Sequence, residues 1–143
     1  MQLKYLPNIK TPKDIKDYSS DQLHELCAEL RNHTIETVTE VGGHLAPTLG
    51  VIELSVALHY VYDMPRDKLI WDVGHQGYAH KLLTGRFKDF STIRQYNGLS
   101  GFLKRSTDPR GEVVWGLRAC TFPLDLSMRV FYTTIDKQIP TLF

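Results

Sequence analysis

The sequence predicts a domain of the α/β class, on three observations. Apolar residues recur at helical spacing over 20–40, a second apolar segment covers 49–62, and a short apolar run over 68–73 ends at Gly74. A helix that leads into a short apolar run bounded by glycine is typical of a buried parallel strand in an α/β sheet. The chain has 143 residues, 42% of them hydrophobic, which is the length of one domain with enough apolar side chains for an ordinary core.

The N-terminal half of the chain is predicted to start with an extended arm over 1–18, because this polar stretch is punctuated by two prolines. Ser19 and Gln22 then form the capping-box pattern of a helix start. We expect a helix over 20–40 that ends at Gly42-Gly43. Thr48 is a plausible cap for a second helix that extends to Tyr62.

The second predicted helix, 49–62, is apolar nearly all round, which is typical of a helix buried inside a larger body. Glu53 and His59 are its polar exceptions, and each is interpreted as a satisfied or rim-facing group. The run at 68–73 is the predicted strand. A short helix over 78–83, a helical turn within 90–96 and a loop over 98–102 follow, whereas 113–143 has neither helical period nor strand alternation.

Composition and charge exclude several classes of protein. The 17 Lys and Arg residues nearly balance 16 Asp and Glu, and a net charge of +1 gives no reason to expect nucleic-acid or anionic-membrane binding. The longest apolar runs are shorter than the ~18 residues of a spanning helix. The N-terminus MQLKYLPNIK lacks the apolar stretch of a signal peptide. We therefore expect a cytoplasmic protein, or one in a plastid-like compartment if the source is eukaryotic.

Cysteines and histidines do not form a metal-binding or disulfide pattern. Cys27 and Cys120 are far apart and form no CxxC pair. His75 and His80 are five residues apart, which is not the spacing of a helical zinc pair, and no HExxH occurs. No GxSxG or GxxxxGK[ST] is present either. The sequence predicts no metal site within these residues.

Two glycine–histidine loops are the candidates for chemistry. Ligands of open α/β sheets lie beyond the carboxyl ends of the strands, and this places a candidate site at Gly74-His75-Gln76-Gly77. His44 likewise follows glycine in a loop at the end of a predicted element. Glycine permits close approach of the backbone to a ligand, and imidazole can donate to phosphate or transfer a proton. A structural role for both loops stays open on spacing alone.

Four segments resemble a known family. They are ELR at 29–31, GGHLAPTLGVIELSVALHYVYD at 42–63, KLIWDVGHQGYAHKLLTGR at 68–86 and STIRQYNGLSGFLKRS at 91–106. Over residues 3–106 the chain is similar to the N-terminal part of 1-deoxy-D-xylulose-5-phosphate synthases, thiamine-diphosphate enzymes of the transketolase superfamily. The last two segments separate this family from transketolase proper.

The resemblance implies a fold and a reaction. The fold would be part of a thiamine-diphosphate-binding domain, a three-layer, mostly parallel sheet with helices, truncated here. It implies an N-terminal arm over 1–18, the partial cofactor domain over 19–106 and a divergent tail over 107–143. Such enzymes condense pyruvate with D-glyceraldehyde 3-phosphate, release carbon dioxide and supply isoprenoid, thiamine and pyridoxal synthesis. They use thiamine diphosphate with magnesium and form homodimers.

The resemblance also assigns residues. His75 corresponds to the histidine that contacts thiamine diphosphate, and Gly74 gives close approach beside it. His44 corresponds to the histidine at the substrate end of the site.

The chain departs from the family after about residue 106. At 112–122 it reads EVVWGLRACTF, where the family has a cofactor-binding Gly-His-Ser. The family's Gly-Asp-Gly motif and Asn for magnesium, and its activating Glu, lie beyond the end of the chain. We expect an N-terminal fragment, from a frame shift or a truncated gene, that is inactive alone. A non-catalytic interaction module and one half of a split transketolase-like enzyme are the alternatives.

Overall fold

The computed structural model describes residues 3–64, 66–71, 74–103 and 130–133, with the backbone alone described at 68, 70 and 130–133. Most of the described residues lie in helices and turns. The helices are α1 (Ser20–Val41), α2 (Leu45–Leu49), α3 (Ile52–Val61) and α4 (Tyr78–Leu83), the strands are β1 (Lys68–Trp71) and β2 (Val130–Thr133), and 3-10 turns occur at Leu6–Asn8, Pro12–Ile15 and Phe90–Thr92.

Helix α1 begins and ends as the sequence predicts. The Ser19 hydroxyl accepts from the Gln22 amide at 3.3 Å, and the Gln22 side chain accepts from the Ser19 amide at 2.8 Å. At the other end Gly42 takes a φ of 78° and its amide donates to the Val38 carbonyl at 2.9 Å. A glycine adopts this left-handed φ with little strain, which explains why the helix stops there. The predicted helix over 20–40 is confirmed.

The predicted single helix over 49–62 is wrong, because the chain breaks into α2 and α3. Gly50 ends α2 and donates to the Ala46 carbonyl at 3.1 Å, and Val51 turns with a φ of −124° before α3 starts. Glycine weakens a helix interior, and this favours the break. Thr48 is therefore not an N-terminal cap but lies inside α2.

Helix α3 buries one face and exposes its last turn. Ile52, Ser55, Val56 and His59 are buried. At the C-terminal end Tyr60, Val61 and Tyr62, called here the Tyr60–Tyr62 patch, are exposed, with 68% of Val61 accessible. A patch of large apolar side chains at a helix end is uncommon on a protein surface and favours contact with another surface. The expected burial on nearly all sides is thus found for one face only.

Strand β1 is buried at the positions that point to one face. Leu69 and Trp71 are fully buried and pack with Val51, Met64 and Leu103. The predicted buried strand at 68–73 is confirmed for these positions.

The pairing of β1 corrects the expectation of a parallel strand. It pairs antiparallel with β2, with Lys68 opposite Thr133 and Trp71 opposite Val130. A parallel neighbour requires a crossover connection of a dozen or more residues, usually through a helix. In the described residues the partner of β1 comes instead from the C-terminal stretch, which showed no strand alternation.

The N-terminal segment packs against α1 instead of extending as an arm. Its two 3-10 turns bury Leu6, Ile9 and Ile15 completely or nearly so. The carboxylate of Glu29, itself 3% exposed, accepts from the backbone amides of Lys4 at 2.7 Å, Tyr5 at 3.1 Å and Leu6 at 2.9 Å. A buried carboxylate that accepts several backbone N–H groups is well compensated for its lost hydration. Glu29 therefore fixes the start of the chain on the helix.

One apolar cluster joins these elements into the main core. It draws buried side chains from the N-terminal segment, α1, α3, α4 and the 3-10 turn at 90–92, among them Leu6, Leu30, Ile52, Leu82 and Phe90. Arg31 adds a polar connection, because its guanidinium donates to the Leu49 carbonyl at 3.1 Å and forms an ion pair with Glu53. Among the described residues, no helix combines the length and the apolar character that a bilayer crossing requires.

His33 packs α1 against the segment that follows α4. Its ring centroid lies 4.9 Å from that of Phe87 and 5.5 Å from that of Phe90. In the described part of the chain its Nε2 atom is buried without a hydrogen-bond partner. Burial lowers the pKa of His33, and the opposing charge of Glu36 only partly offsets this. The folded protein therefore favours the neutral ring.

We expect Glu29→Gln to destabilise the fold by about 2–4 kcal/mol, because the amide places an N–H group against backbone donors. The free energy of unfolding from urea titration measures this. Glu25→Gln is the matched control one turn earlier on α1. Glu25 is exposed and interacts with the side chains of Tyr5 and Lys4 at the surface, so its replacement should change little. Equal unfolding midpoints for wild type and Glu29→Gln would contradict the anchoring role.

We also expect His33 to make stability pH-dependent. Its pKa is lower in the folded than in the unfolded chain, so its contribution is present above the unfolded value of about 6.5 and is lost as the pH falls through the folded value. His33→Gln should flatten the fall of unfolding free energy over this acidic range. His24→Gln, at an exposed histidine of the same helix, is the control and should keep the wild-type slope. Identical slopes for wild type and His33→Gln would refute the assignment.

Candidate functional site

The loop that joins α1 to α2 places His44 at the surface. Gly43 has a φ of 157°, and a Cβ atom placed there would lie 2.9 Å from the Tyr78 hydroxyl and 3.2 Å from a Val38 methyl group. A side chain at Gly43 would therefore displace the Tyr78 hydroxyl and crowd Val38 near the end of α1. His44, which follows, is the exposed residue at the N-terminus of α2.

The second loop carries His75 between β1 and α4. Gly74 is buried and has a φ of 84°, a conformation that residues with a side chain rarely adopt. Gly77 accepts no side chain, because a Cβ atom there would come within 2.5 Å of Leu103. Its amide donates to the Gly74 carbonyl at 3.3 Å. His75 is held half-buried in this tight turn.

The two loops bring His44 and His75 together. Their ring centroids are 5.4 Å apart, with an angle of 68° between the ring planes. They are 31 positions apart in the sequence, so the fold creates the pair. One exposed and one half-buried imidazole can both present N–H donors to an anionic ligand, or exchange a proton with it. Gly74 directly precedes His75 in the chain, and its role as a cofactor-contacting residue stays a prediction.

Thr48 connects the two loops through their backbones. Its fully buried side chain donates from Oγ1 to the His44 carbonyl at 3.0 Å and to the His75 carbonyl at 3.3 Å. Sequence analysis placed Thr48 as a helix cap and missed this contact, for which the sequence holds no local signal.

Arg94 adds a positive charge near the pair and was also missed. Its backbone has a φ of 65°, and its amide donates to the Leu99 carbonyl at 2.7 Å. One guanidinium nitrogen is 3.5 Å from the position that a Cβ atom on Gly43 would occupy. Left-handed backbone at a residue other than Gly, Asn or Asp is uncommon and is often found at functional sites. The only sequence signal was its position within the segment STIRQYNGLSGFLKRS.

A second histidine pair lies in the core. His59 and His80 are fully buried, and their Nε2 and Nδ1 atoms are 2.9 Å apart. His59 Nδ1 is 2.7 Å from the Ser55 carbonyl, which requires the proton on that nitrogen. His59 then accepts from His80. The interpretation of His59 as a satisfied polar group is confirmed, and the pair is structural.

The described residues contain neither a cluster of metal ligands nor a reactive thiol. Within the described ranges, no three His, Cys, Asp or Glu side chains come together in a way that could hold a metal ion. Cys27 is buried, and burial together with the Glu53 carboxylate raises the pKa of its thiol to about 11. A thiol with this pKa is a poor nucleophile at neutral pH. Cys120 lies outside the described residues.

Comparisons with known proteins identify the family of the chain. A family model described as 1-deoxy-D-xylulose-5-phosphate synthase matches residues 6–116, which carries the match past residue 106. The 1-deoxy-D-xylulose-5-phosphate synthase of Desulfotalea psychrophila is 60% identical over 100 residues, 70% of this chain and 16% of the relative. The protein of the same name from Brevibacillus brevis is 56% identical over 110 residues, 77% of this chain and 17% of the relative.

A match of the same kind covers most of the chain. The 1-deoxy-D-xylulose-5-phosphate synthase of Dehalococcoides mccartyi (strain BAV1) is 49% identical over 127 residues, 89% of this chain and 20% of the relative. The chain thus spans between 16% and 20% of the length of these three relatives. It belongs to the 1-deoxy-D-xylulose-5-phosphate synthase family and corresponds to the N-terminal region of its members.

Proposed function

We propose that this chain provides the N-terminal part of a thiamine-diphosphate site that acts in the condensation of pyruvate with D-glyceraldehyde 3-phosphate. The products are 1-deoxy-D-xylulose 5-phosphate and carbon dioxide. The observation that carries the proposal is the juxtaposition of His44 and His75, whose ring centroids are 5.4 Å apart on two glycine loops. Family membership gives the pair its chemical context.

The residues present fit the polar end of such a cofactor. A diphosphate requires N–H donors and a backbone without bulky side chains. The His75 imidazole supplies a donor, and the buried Gly74, with a φ of 84°, places no side chain beside it. When bound, thiamine diphosphate supplies the carbanion chemistry of ketol transfer.

The two histidines have different roles in this proposal. His75 is half-buried and donates to the cofactor, which fixes its position. His44 is exposed at the N-terminus of α2 and faces the substrate, where its ring donates or accepts a proton. Arg94 adds a cation near Gly43, suited to the anionic groups of both substrates.

The proposal also includes a magnesium ion, a mostly parallel sheet and a homodimer. The described residues hold no group of three His, Cys, Asp or Glu side chains that could bind a metal ion. Magnesium would therefore neutralise the diphosphate through ligands other than these residues. The three-layer, mostly parallel sheet and the homodimer are proposed on family grounds. They require strands and surfaces beyond those of the described residues.

A second candidate function is association with another polypeptide, as an interaction module or as one half of a split enzyme. The Tyr60–Tyr62 patch favours it, because Val61 exposes 68% of its surface beside two partly exposed tyrosines. A complementary chain that carries the remaining cofactor ligands would cover this patch and complete the site.

Replacement of the histidines should separate their roles in a chimera in which a relative's sequence follows Ser106. His75→Ala should weaken thiamine diphosphate binding about tenfold to a hundredfold, the equivalent of a lost charged hydrogen bond of about 1.5–3 kcal/mol. His44→Ala should mainly lower kcat. Calorimetric titration and a carbon-dioxide release assay measure the two effects.

His24→Ala, at an exposed histidine of α1, is the matched control for these two variants. It should leave both the affinity and the rate unchanged. Wild-type affinity in His75→Ala would remove His75 from the cofactor site.

The 143-residue chain alone is expected to make no 1-deoxy-D-xylulose 5-phosphate. The cofactor must be held in a defined orientation for the reaction to proceed, and the two histidines supply only part of that constraint. Calorimetry with thiamine diphosphate and magnesium, followed by carbon-dioxide release from pyruvate, tests this. Micromolar affinity together with turnover by the pure chain would overturn the expectation and show that the missing groups are supplied from within it.

A further inference from the structure

Thr48 occupies the point where the two histidine loops meet. It is the fourth residue of α2, and its side chain is fully buried. Its hydroxyl lies 3.0 Å from the carbonyl oxygen of His44 and 3.3 Å from that of His75. A hydroxyl carries one proton, so this is one donor shared between two acceptors. The shorter contact is the stronger of the two.

Both loops need such a tether because each contains glycine at positive φ. Gly42 and Gly43 precede His44, with φ values of 78° and 157°, and Gly74 precedes His75 with a φ of 84°. Glycine leaves the backbone more freedom than any other residue, and that freedom works against a fixed ring position. A hydrogen bond to the carbonyl of each histidine restricts the peptide that carries the ring.

We propose that Thr48 is a positioning residue, whose hydroxyl sets the separation and mutual angle of the His44 and His75 rings by holding both backbone carbonyls. Its two hydrogen bonds go to backbone carbonyls, so it acts through the backbone. The significance of this positioning for catalysis rests on the proposed function, whereas the tether itself is a property of the unliganded chain. A displacement of about 1 Å at such a pair is enough to impair a catalytic site.

Valine provides a nearly isosteric test. Thr48→Val keeps the β-branched shape and removes the proton that is shared, while Thr48→Ser keeps the hydroxyl and removes a methyl group. Thr48→Ala removes the hydroxyl without placing a methyl group beside the carbonyls. If the ring positions change in Thr48→Val and Thr48→Ala but not in Thr48→Ser, the hydroxyl is responsible for the positioning.

The measurement is nuclear magnetic resonance on the full chain with labelled histidine, in the absence of cofactor. The wild-type protein should give a nuclear Overhauser cross-peak between the His44 and His75 rings, because their centroids are 5.4 Å apart and the rings meet edge to face. Thr48→Val and Thr48→Ala should lose most of this cross-peak, since its intensity falls with the sixth power of distance. Thr48→Ser should keep it, and urea titration of each variant verifies folding.

A wild-type cross-peak of unchanged intensity in Thr48→Val or Thr48→Ala would overturn the proposal, as would its absence from the wild-type chain. If Thr48→Val does not fold, Thr48→Ala decides. Titration of the chimera with thiamine diphosphate separates this proposal from the previous one. Loss of the cross-peak with no cofactor binding by any protein supports the tether and rejects the proposed function. Cofactor binding that depends on His75, together with an unchanged cross-peak in the Thr48 variants, supports the proposed function and rejects the tether.

Discussion

The carboxylate of Glu29 holds the first residues of the chain on α1, the helix that leads into the His44 loop. Three backbone amides over 4–6 donate to it. The segment so anchored then reaches α4, where Gly85 lies so close to the Lys10 carbonyl that no Cβ atom would fit. It thereby connects α1, which precedes the His44 loop, with α4, which follows the His75 loop.

The segment ELR, which carried part of the family resemblance, has a structural explanation. Glu29 binds the N-terminal amides, and Arg31, two positions on, binds the Leu49 carbonyl and the Glu53 carboxylate. Arg31 therefore joins α1 to the end of α2 and the start of α3, across the break at Gly50. Neither residue reaches the histidine pair. Glu29 fixes the N-terminal segment on α1, and Arg31 fixes α1 to α2 and α3. The segments that carry the family resemblance therefore include residues that support the fold as well as the candidate site residues.

Sequence patterns predicted the elements whose signals are local and missed the contacts that depend on distance. The Ser19–Gln22 capping box and the glycine end of α1 were predictable because both motifs act within a few residues. The break between α2 and α3 at Gly50 was not predicted, because the residues on both sides of it are apolar and read as one continuous helix. The antiparallel partner of β1 comes from residues 130–133, which lack alternation. His44 and His75 were identified as candidates, but their contact with each other and the contacts of Thr48 and Arg94 with the two loops arise only when the loops are packed.

Arg94 combines a strained backbone with the positive charge that the proposed function uses. Its backbone occupies a left-handed conformation that costs a non-glycine residue of the order of 1 kcal/mol or more. Glycine would adopt it with less strain, and a screen that rewards heat resistance alone would favour glycine there. Such a screen would also remove a cation from the neighbourhood of His44. Directed evolution of this chain for robustness therefore has to be paired with selection for ligand binding, or it will trade the charge for a relaxed turn.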